Sequence, residues 1–283
     1  MFPVVVLAAV LAVVPGVSRV PAADAGPARA YDVSWPNCGQ ALPTNGDLGI
    51  VGVNGGRPYE NNPCLAAQFK WATSGPRRPA FYMNTSNPGT ASRAVNWYAQ
   101  RSPSAACSAA DEGACAFNYG YNAAKHAFAR AQAQTGAASR HTWWLDVETG
   151  NSWSTNRALN SDSIAGSITY LRTQGVPVGV YSTRYQWGQI TGGVVIPDVP
   201  VWLAGARNGQ EATRFCGPER SFTGGPVIMV QWVEHNFDHN HLCRPMPTTV
   251  TPPPAPAPAT LEELIKQVPD DLAQGLRKLL GQK

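Results

Sequence analysis

The chain has 283 residues, of which 43% are hydrophobic and 14% are charged, so it is long enough for one large hydrophobic core or two small ones. Its net charge is +4, and its lysines and arginines are scattered, with no basic run longer than Arg77-Arg78. This distribution argues against a nucleic-acid-binding surface, and no nucleic-acid partner is expected.

The N-terminal segment predicts export. An apolar run of about a dozen residues ends at Pro15, which is shorter than the ~20 residues that span a bilayer. Ala23-Asp24-Ala25 and Ala28-Arg29-Ala30 both fit a small-x-small cleavage site, although no basic residue precedes the run. We predict that residues 1–30 are a signal peptide and a short N-terminal segment, and that the protein is extracellular with no stable membrane span. A membrane anchor is the alternative.

Six cysteines agree with an oxidising, extracellular compartment. The sequence alone leaves their connectivity open, and pairing of neighbours is the arrangement we expect. The expected pairs are Cys38–Cys64, Cys107–Cys115 and Cys216–Cys243. No C-x-x-C motif occurs and the spacings are not typical of zinc sites, so no metal is expected.

Eight short apolar runs within residues 31–245 and at their edge have the composition of β-strands. They cover residues 30–35, 48–55, 80–86, 143–148, 176–183, 199–206, 226–235 and 237–242. Helical patterns lie between several of them, including 121–134 and 161–175. The second of these helices has a capping residue at Ser161 or Asp162 and a stop at Gly175.

Strands that alternate with helices predict a parallel sheet, and eight such strands favour a closed TIM-type α/β barrel. After residue 183 the spacers are short and rich in glycine, so the last strands could be joined by loops alone. A doubly wound sheet is the alternative, but no G-x-G-x-x-G follows the first strands.

The C-terminal region departs from this pattern. Residues 246–259 are rich in proline and predict an extended, semi-rigid linker. Residues 260–283 predict an amphipathic helical tail, because Thr260 and Glu263 form a capping-box pattern before a leucine-rich stripe. The tail could bind a partner or a membrane surface, or pack weakly on the barrel.

Acidic residues stand at the ends of the predicted strands: Asp32 on the first, Asp146 and Glu148 on the fourth, and Asp238 on the last. In a parallel barrel the carboxyl ends of the strands form one rim, where active sites lie. Asp146 and Glu148 are two residues apart, so they face the same way. Barrel closure makes the first and last strands neighbours, and all four acids could then line one pocket.

Crowded carboxylates shift one another's pKa, so that one acid keeps its proton beside an ionised partner, as glycoside hydrolysis requires. Asn84, Tyr181, Trp202 and Trp232 lie on other predicted strands and are candidate substrate-binding residues. The structural alternatives are that Asp146 caps a turn, that Glu148 is a solvated loop acid, and that Asp32 and Asp238 are buried structural acids.

These motifs together resemble family 25 of the glycoside hydrolases, the N-acetylmuramidase lysozymes. The carrying segments are YDVSW on the first strand, WLDVE on the fourth, VGVYST on the fifth, VPVWLA on the sixth, and MVQWVEHNFDHNHL at the end. Their order matches the family over most of residues 31–245. Two departures are the reversed order Gln231-Trp232 and a longer, cysteine-containing segment after the third strand.

The resemblance implies a disulfide-stabilised barrel of five strand–helix units and three closing strands, acting on cell-wall peptidoglycan. It implies that Glu148 is the general acid/base and that Asp146 orients the substrate's N-acetyl group or stabilises the cationic transition state. Asp32 and Asp238 would hold the pocket electrostatically and bind the sugar. It requires no cofactor, and we expect a secreted, cell-wall-associated monomer. A non-catalytic module that binds a glycan or a partner is the alternative.

Overall fold

The computed structural model describes residues 29–90, 98, 100–110 and 112–250. Its strands are β1 Ala30–Val33, β2 Leu48–Gly52, β3 Ala80–Asn84, β4 Thr142–Asp146, β5 Val178–Ser182, β6 Val201–Leu203, β7 Val227–Glu234 and β8 Phe237–Leu242. The α-helices of this part of the chain are α1 Leu65–Ala72, α2 Glu112–Thr135, α3 Arg157–Thr173, α4 Arg184–Thr191 and α5 Gly209–Arg214. All eight predicted strands are therefore confirmed, most of them with shorter bounds, and β8 with the predicted ones.

The strands close into a barrel in the order β1 to β8. Neighbours from β1 to β7 are parallel, whereas β8 is antiparallel to both β7 and β1. The predicted α/β barrel is confirmed. The suggestion that loops alone join the last strands is wrong for β6 and β7, because α5 and a 3-10 helix, Pro218–Arg220, lie between them.

Helix α3 shows where local sequence signals misled the prediction. Its N-cap is Asn156, whose side chain accepts a hydrogen bond from the backbone N–H of Ala158, and not Ser161 or Asp162. The stop signal is confirmed, since the helix ends two residues before Gly175, which has φ +72°. Asn156 precedes the apolar positions by a full turn, so a search for the cap next to those positions misses it.

Two apolar layers hold the barrel together. The outer faces of the strands pack against the helices, with Trp143 and Leu145 of β4 fully buried there. The inner layer fills the barrel with Ile50, Trp144, Trp202 and other buried side chains. Because strand residues alternate between these two layers, the polar residues that share the inner face lie on top of this apolar plug.

Three disulfides join Cys38 to Cys64, Cys107 to Cys115, and Cys216 to Cys243, which confirms the expected pairing. The first connects the segment after β1 to the start of α1, and the third connects the end of α5 to the end of β8. Each therefore fastens a connecting segment to an element beside it in the barrel.

The predicted terminal segments lie almost entirely outside the described residues. Of residues 1–30 the structure describes only Arg29 and Ala30, and of the linker 246–259 only the first five residues. The predicted tail, 260–283, lies wholly outside them. Within the described ranges, no helix combines the length and the apolar character that a membrane crossing requires.

Candidate active site

The four predicted acids belong to one rim of the barrel. Asp32 lies near the end of β1, Asp146 is the last residue of β4, and Glu148 follows two residues later. Asp238 is the second residue of β8, and because β8 is antiparallel, its beginning lies at the rim where the parallel strands end. Asp32 and Asp238 are register partners across β1 and β8. The predicted grouping is therefore what the barrel topology produces.

Asp146 is the most enclosed acid on the β4 side. It is 5% exposed, and its Oδ2 accepts a hydrogen bond from Nδ2 of Asn84, its register partner on β3, at 2.5 Å. Its Oδ1 has no hydrogen-bond partner among the described residues. Burial raises the pKa of Asp146 well above its ordinary value, and the charge of Glu148 raises it further. The protonated form of Asp146 is therefore favoured.

Asp32 is held by two side-chain amides. Nδ2 of Asn240 donates to its Oδ2 at 2.7 Å, and Nε2 of Gln231 lies 3.2 and 3.1 Å from Oδ1 and Oδ2. Burial raises the pKa of Asp32, and the charges of Asp238 and Glu148 raise it further, whereas the two amide donors oppose the rise. The two amide donors stabilise the ionised carboxylate of Asp32, whereas burial and the acidic neighbours of Asp32 destabilise it.

Asp238 completes the acidic cluster from the β8 side. Its side chain is half-buried, and burial raises its pKa, with a second contribution from the charge of Glu148 and an opposing one from His239. The charge of Glu148 thus raises the pKa of Asp238, and it also raises the pKa values of Asp32 and Asp146. Glu148 is half-buried and is the acid with which all the others interact.

Two tyrosines form part of the wall around the acids. Tyr181 of β5, predicted to bind substrate, donates from its hydroxyl to Oε1 of Gln231 at 2.8 Å. Burial raises its pKa well above the ordinary value, and the charge of Glu148 adds to this rise. Tyr82 of β3, which the sequence analysis did not select, has a pKa raised by burial and then by the charge of Asp32. Both phenols therefore remain protonated donors.

Two predicted substrate-binding residues lie elsewhere than expected. Trp202 is 1% exposed and belongs to the apolar plug, so it offers no free face to a sugar. Its Nε1 instead donates to Oδ1 of Asn240 at 2.6 Å. Trp232 follows Gln231 on β7 and so points to the opposite, outer side of the barrel, where its ring stacks on that of His239. The aromatic composition of the strands did not reveal which face each ring occupies.

Gln231, Asn240 and Tyr82 are site residues that were missed. A signal existed for Asn240, because it stands two residues after Asp238 and must share its face of the strand. Gln231 is its register partner on β7. Exposed aromatic side chains among the described residues are Trp35, 47% exposed, just after β1, and Tyr185, 72% exposed, just after β5. They offer apolar surface at the rim that Trp202 and Trp232 do not.

One group of potential metal ligands exists in the described part of the chain, formed by Cys216, His241 and Cys243. The two sulfurs are bonded to each other in a disulfide, so they are not available as thiolate ligands. The acidic cluster includes no histidine or cysteine. Neither place has the ligand set of a resident transition-metal cofactor.

The acidic cluster lies at the carboxyl ends of the strands of a closed α/β barrel, which is where barrel enzymes carry their active sites. The family model described as lysozyme-like protein 1 matches residues 104–215. A family GH25 lysozyme from Aspergillus fumigatus shares the fold with a TM-score of 0.51, at 14% identity, covering 78% of this chain and 96% of that one. The described region is thus similar to a lysozyme-like family over residues 104–215 and has the barrel fold of a GH25 lysozyme.

A second similar structure is a muramidase from Acremonium alcalophilum, with 15% identity, a TM-score of 0.47, and coverage of 76% of this chain and 93% of that chain. A glycosyl hydrolase 25 of Streptococcus pneumoniae has 16% identity and a TM-score of 0.47, over 76% of this chain and 86% of that one. No curated protein matches the sequence.

Proposed function

We propose that the protein is an exported glycoside hydrolase that cleaves the glycan of cell-wall peptidoglycan as a muramidase. The observation that carries this proposal is the grouping of Asp32, Asp146, Glu148 and Asp238 at one rim of the barrel. Burial and the neighbouring acids raise the pKa values of Asp32, Asp146 and Asp238, which favours the retention of protons in the cluster, as general acid catalysis needs. Three disulfides support an extracellular location.

The structure favours a division of roles between the acids of β4. Glu148 is half-buried and open to a ligand, whereas Asp146 is buried and its pKa is raised by burial and by the charge of Glu148. Glu148 donates a proton to the leaving glycosidic oxygen as the bond to the anomeric carbon breaks. The unpaired Oδ1 of Asp146 is available to the substrate's acetamido N–H.

The substrate's own acetamido oxygen is the proposed nucleophile, and it forms a bond to the anomeric carbon as the glycosidic bond breaks. In the second half of the reaction water displaces this oxygen from the anomeric carbon, while Glu148 takes the proton of that water. Asp32 and Asp238 supply negative potential below the developing oxocarbenium ion. No carboxylate of the protein forms a covalent bond in this scheme.

The test is Glu148→Gln, which keeps the size of the side chain and removes its proton chemistry. We expect the release of reducing ends from purified peptidoglycan to fall by about 10³-fold, within the range of a lost general acid/base. The matched control is Glu219→Gln, on a side chain that is 66% exposed in the loop before β7, which leaves the rate unchanged.

The same assay separates the alternative function. A wild-type protein that sediments with insoluble peptidoglycan but releases no reducing ends is a binding module and not a hydrolase. Equal rates for the wild-type protein and Glu148→Gln would show that the reaction does not depend on this carboxyl.

A further inference from the structure

Asp32 sits at the end of a buried chain of hydrogen bonds that starts in the apolar plug. Nε1 of Trp202 donates to Oδ1 of Asn240 at 2.6 Å, and Nδ2 of Asn240 donates to Oδ2 of Asp32 at 2.7 Å. All three residues are at most 4% exposed, with Trp202 and Asn240 at 1% each. Water therefore does not compete for these bonds, and each group depends on the protein for its partner.

We propose that Trp202 is a positioning residue of the active site, whose indole N–H sets the direction of the Asn240 amide and thereby presents a hydrogen-bond donor to Asp32. The two ends of an asparagine amide have nearly the same shape, so packing alone does not decide which end faces the carboxylate. An indole nitrogen can only donate. It therefore requires the amide oxygen on its own side and turns the amide NH₂ group towards Asp32.

A second, parallel chain supports the same carboxylate. The hydroxyl of Tyr181 donates to Oε1 of Gln231, which leaves Nε2 of Gln231 to donate to both oxygens of Asp32. A phenol hydroxyl can also accept a hydrogen bond, so Tyr181 determines the orientation of the Gln231 amide less strictly than Trp202 determines that of Asn240. Asn240 and Gln231 are register partners on β8 and β7, which places the two amides side by side.

The direction of these donors matters because the surroundings of Asp32 favour its protonated form. The titratable groups that face it are Asp238 on β8, Asp146 and Glu148 at the end of β4, Tyr82 on β3 and Tyr181 on β5. The two amide donors oppose the effect of burial and of the acidic neighbours. A reversed Asn240 amide would place its oxygen against Asp32 and make the protonated form more favourable.

The barrel also contains a matched control for this inference. Trp144 lies in the same plug, is 0% exposed, and its ring centre is 5.8 Å from that of Trp202. Its Nε1, however, has no hydrogen-bond partner among the described residues. Trp202→Phe and Trp144→Phe remove the same atoms from the same plug, and only the first removes a hydrogen bond.

The experiment is a ¹³C NMR titration of the Asp32 carboxyl in the full chain, assigned by its disappearance in Asp32→Asn. We expect Trp202→Phe to raise the midpoint by about one pH unit, the size of one lost charge-assisted hydrogen bond, and Trp144→Phe to leave it unchanged. In the hydrolysis assay, Trp202→Phe lowers kcat about tenfold without changing KM. An unchanged Asp32 titration in Trp202→Phe, or an equal shift in Trp144→Phe, overturns the proposal.

A second variant and the independence of the titration from turnover allow the proposal to be tested even if Trp202→Phe does not fold or the protein is not a hydrolase. If Trp202→Phe does not fold, 3-benzothienylalanine at position 202 replaces the N–H by sulfur in a ring of the same shape, and the same shift is expected. The inference on kcat rests on the proposed hydrolase function, but the titration requires no turnover. A protein that titrates as expected without hydrolysing peptidoglycan would refute the proposed function and retain the positioning role of Trp202.

Discussion

Asp32 and Asp238 lie opposite each other as register partners of β1 and β8, although the two residues are 206 positions apart in the sequence. Their pairing depends on the last strand entering the barrel antiparallel to the other seven. A parallel β8 would carry its second residue to the opposite end of the barrel. The reversal of one strand therefore brings an acid of the last strand to the active rim.

The chain has an exposed aromatic residue at the rim of the barrel that carries the acidic cluster. Trp35 follows β1 closely, is 47% exposed, and its ring lies against Gly56, where a Cβ atom would be 3.0 Å from Nε1. In the Glu148→Gln background, we expect Trp35→Ala to weaken binding to insoluble peptidoglycan about 5- to 10-fold, the value of one aromatic contact. The measurement is sedimentation with peptidoglycan at increasing protein concentration.

The comparison variant for this experiment is Trp232→Ala. Because Trp232 faces the outer side of β7, its loss leaves peptidoglycan binding unchanged in the same assay. Weakened binding in Trp232→Ala and normal binding in Trp35→Ala would show that the glycan contacts the wrong side of the barrel for the proposed site.

The crossing of α2 and α3 depends on two glycines. A Cβ atom on Gly166 would lie 2.0 Å from the carbonyl oxygen of Phe117, and one on Gly120 would lie 1.8 Å from that of Ser163. We expect Gly166→Ala to lower the free energy of unfolding by about 3 kcal/mol, because the helices must separate to admit a methyl group. Urea unfolding measures this loss.

A glycine of α4 provides the control. Gly188 has no atom within 4 Å of its added Cβ, so Gly188→Ala gains helix propensity without a clash. We expect it to stabilise the protein by up to about 1 kcal/mol. If Gly166→Ala proves as harmless as Gly188→Ala, the close approach of α2 and α3 in the structure is incorrect.

The barrel and its acids were predictable because each depends on a periodic or local signal. Apolar runs identify the strands, and the pairs Asp146 and Glu148, and Asp238 and Asn240, must share a face because side chains alternate along a strand. The phase of that alternation was not predictable. Gln231 and Trp232 are neighbours, and only the closed barrel shows that the amide points inward to Asp32 and the indole points outward.

The function of Trp202 could not be read from the sequence for a related reason. Its position on a predicted strand of the barrel suggested a sugar-binding ring, but the depth of a residue along a barrel depends on strand tilt and register. The ring lies below the acids, in contact with Tyr181 at a centroid distance of 4.6 Å, and is fully buried. The same sequence pattern is compatible with a side chain buried inside the barrel and with one at the rim, and only the three-dimensional structure distinguishes them.

The acidic cluster should reduce the stability of the protein at neutral pH. Burial and the charge of Glu148 raise the pKa of Asp238 in the folded state above its unfolded value of about 3.9. Between these two values the folded state binds more protons than the unfolded state, so stability decreases as the pH rises through this window. At neutral pH the ionised Asp238 is therefore a net cost, and its charge also raises the pKa of Asp32.

Replacing Asp238 by Asn removes this cost at neutral pH while keeping the shape of the side chain. We expect the Tm of Asp238→Asn to exceed that of the wild-type protein by about 2 °C at pH 7, which is the shift for somewhat less than ~1 kcal/mol in a domain of this size. The difference disappears below about pH 3.9, where the wild-type acid is protonated in both states. Thermal unfolding followed by circular dichroism from pH 3 to pH 7 measures both limits. The exposed control Glu219→Gln gives no such pH-dependent gain. A Tm for Asp238→Asn below that of the wild-type protein at pH 7 would mean that the neighbours of Asp238 stabilise its ionised form.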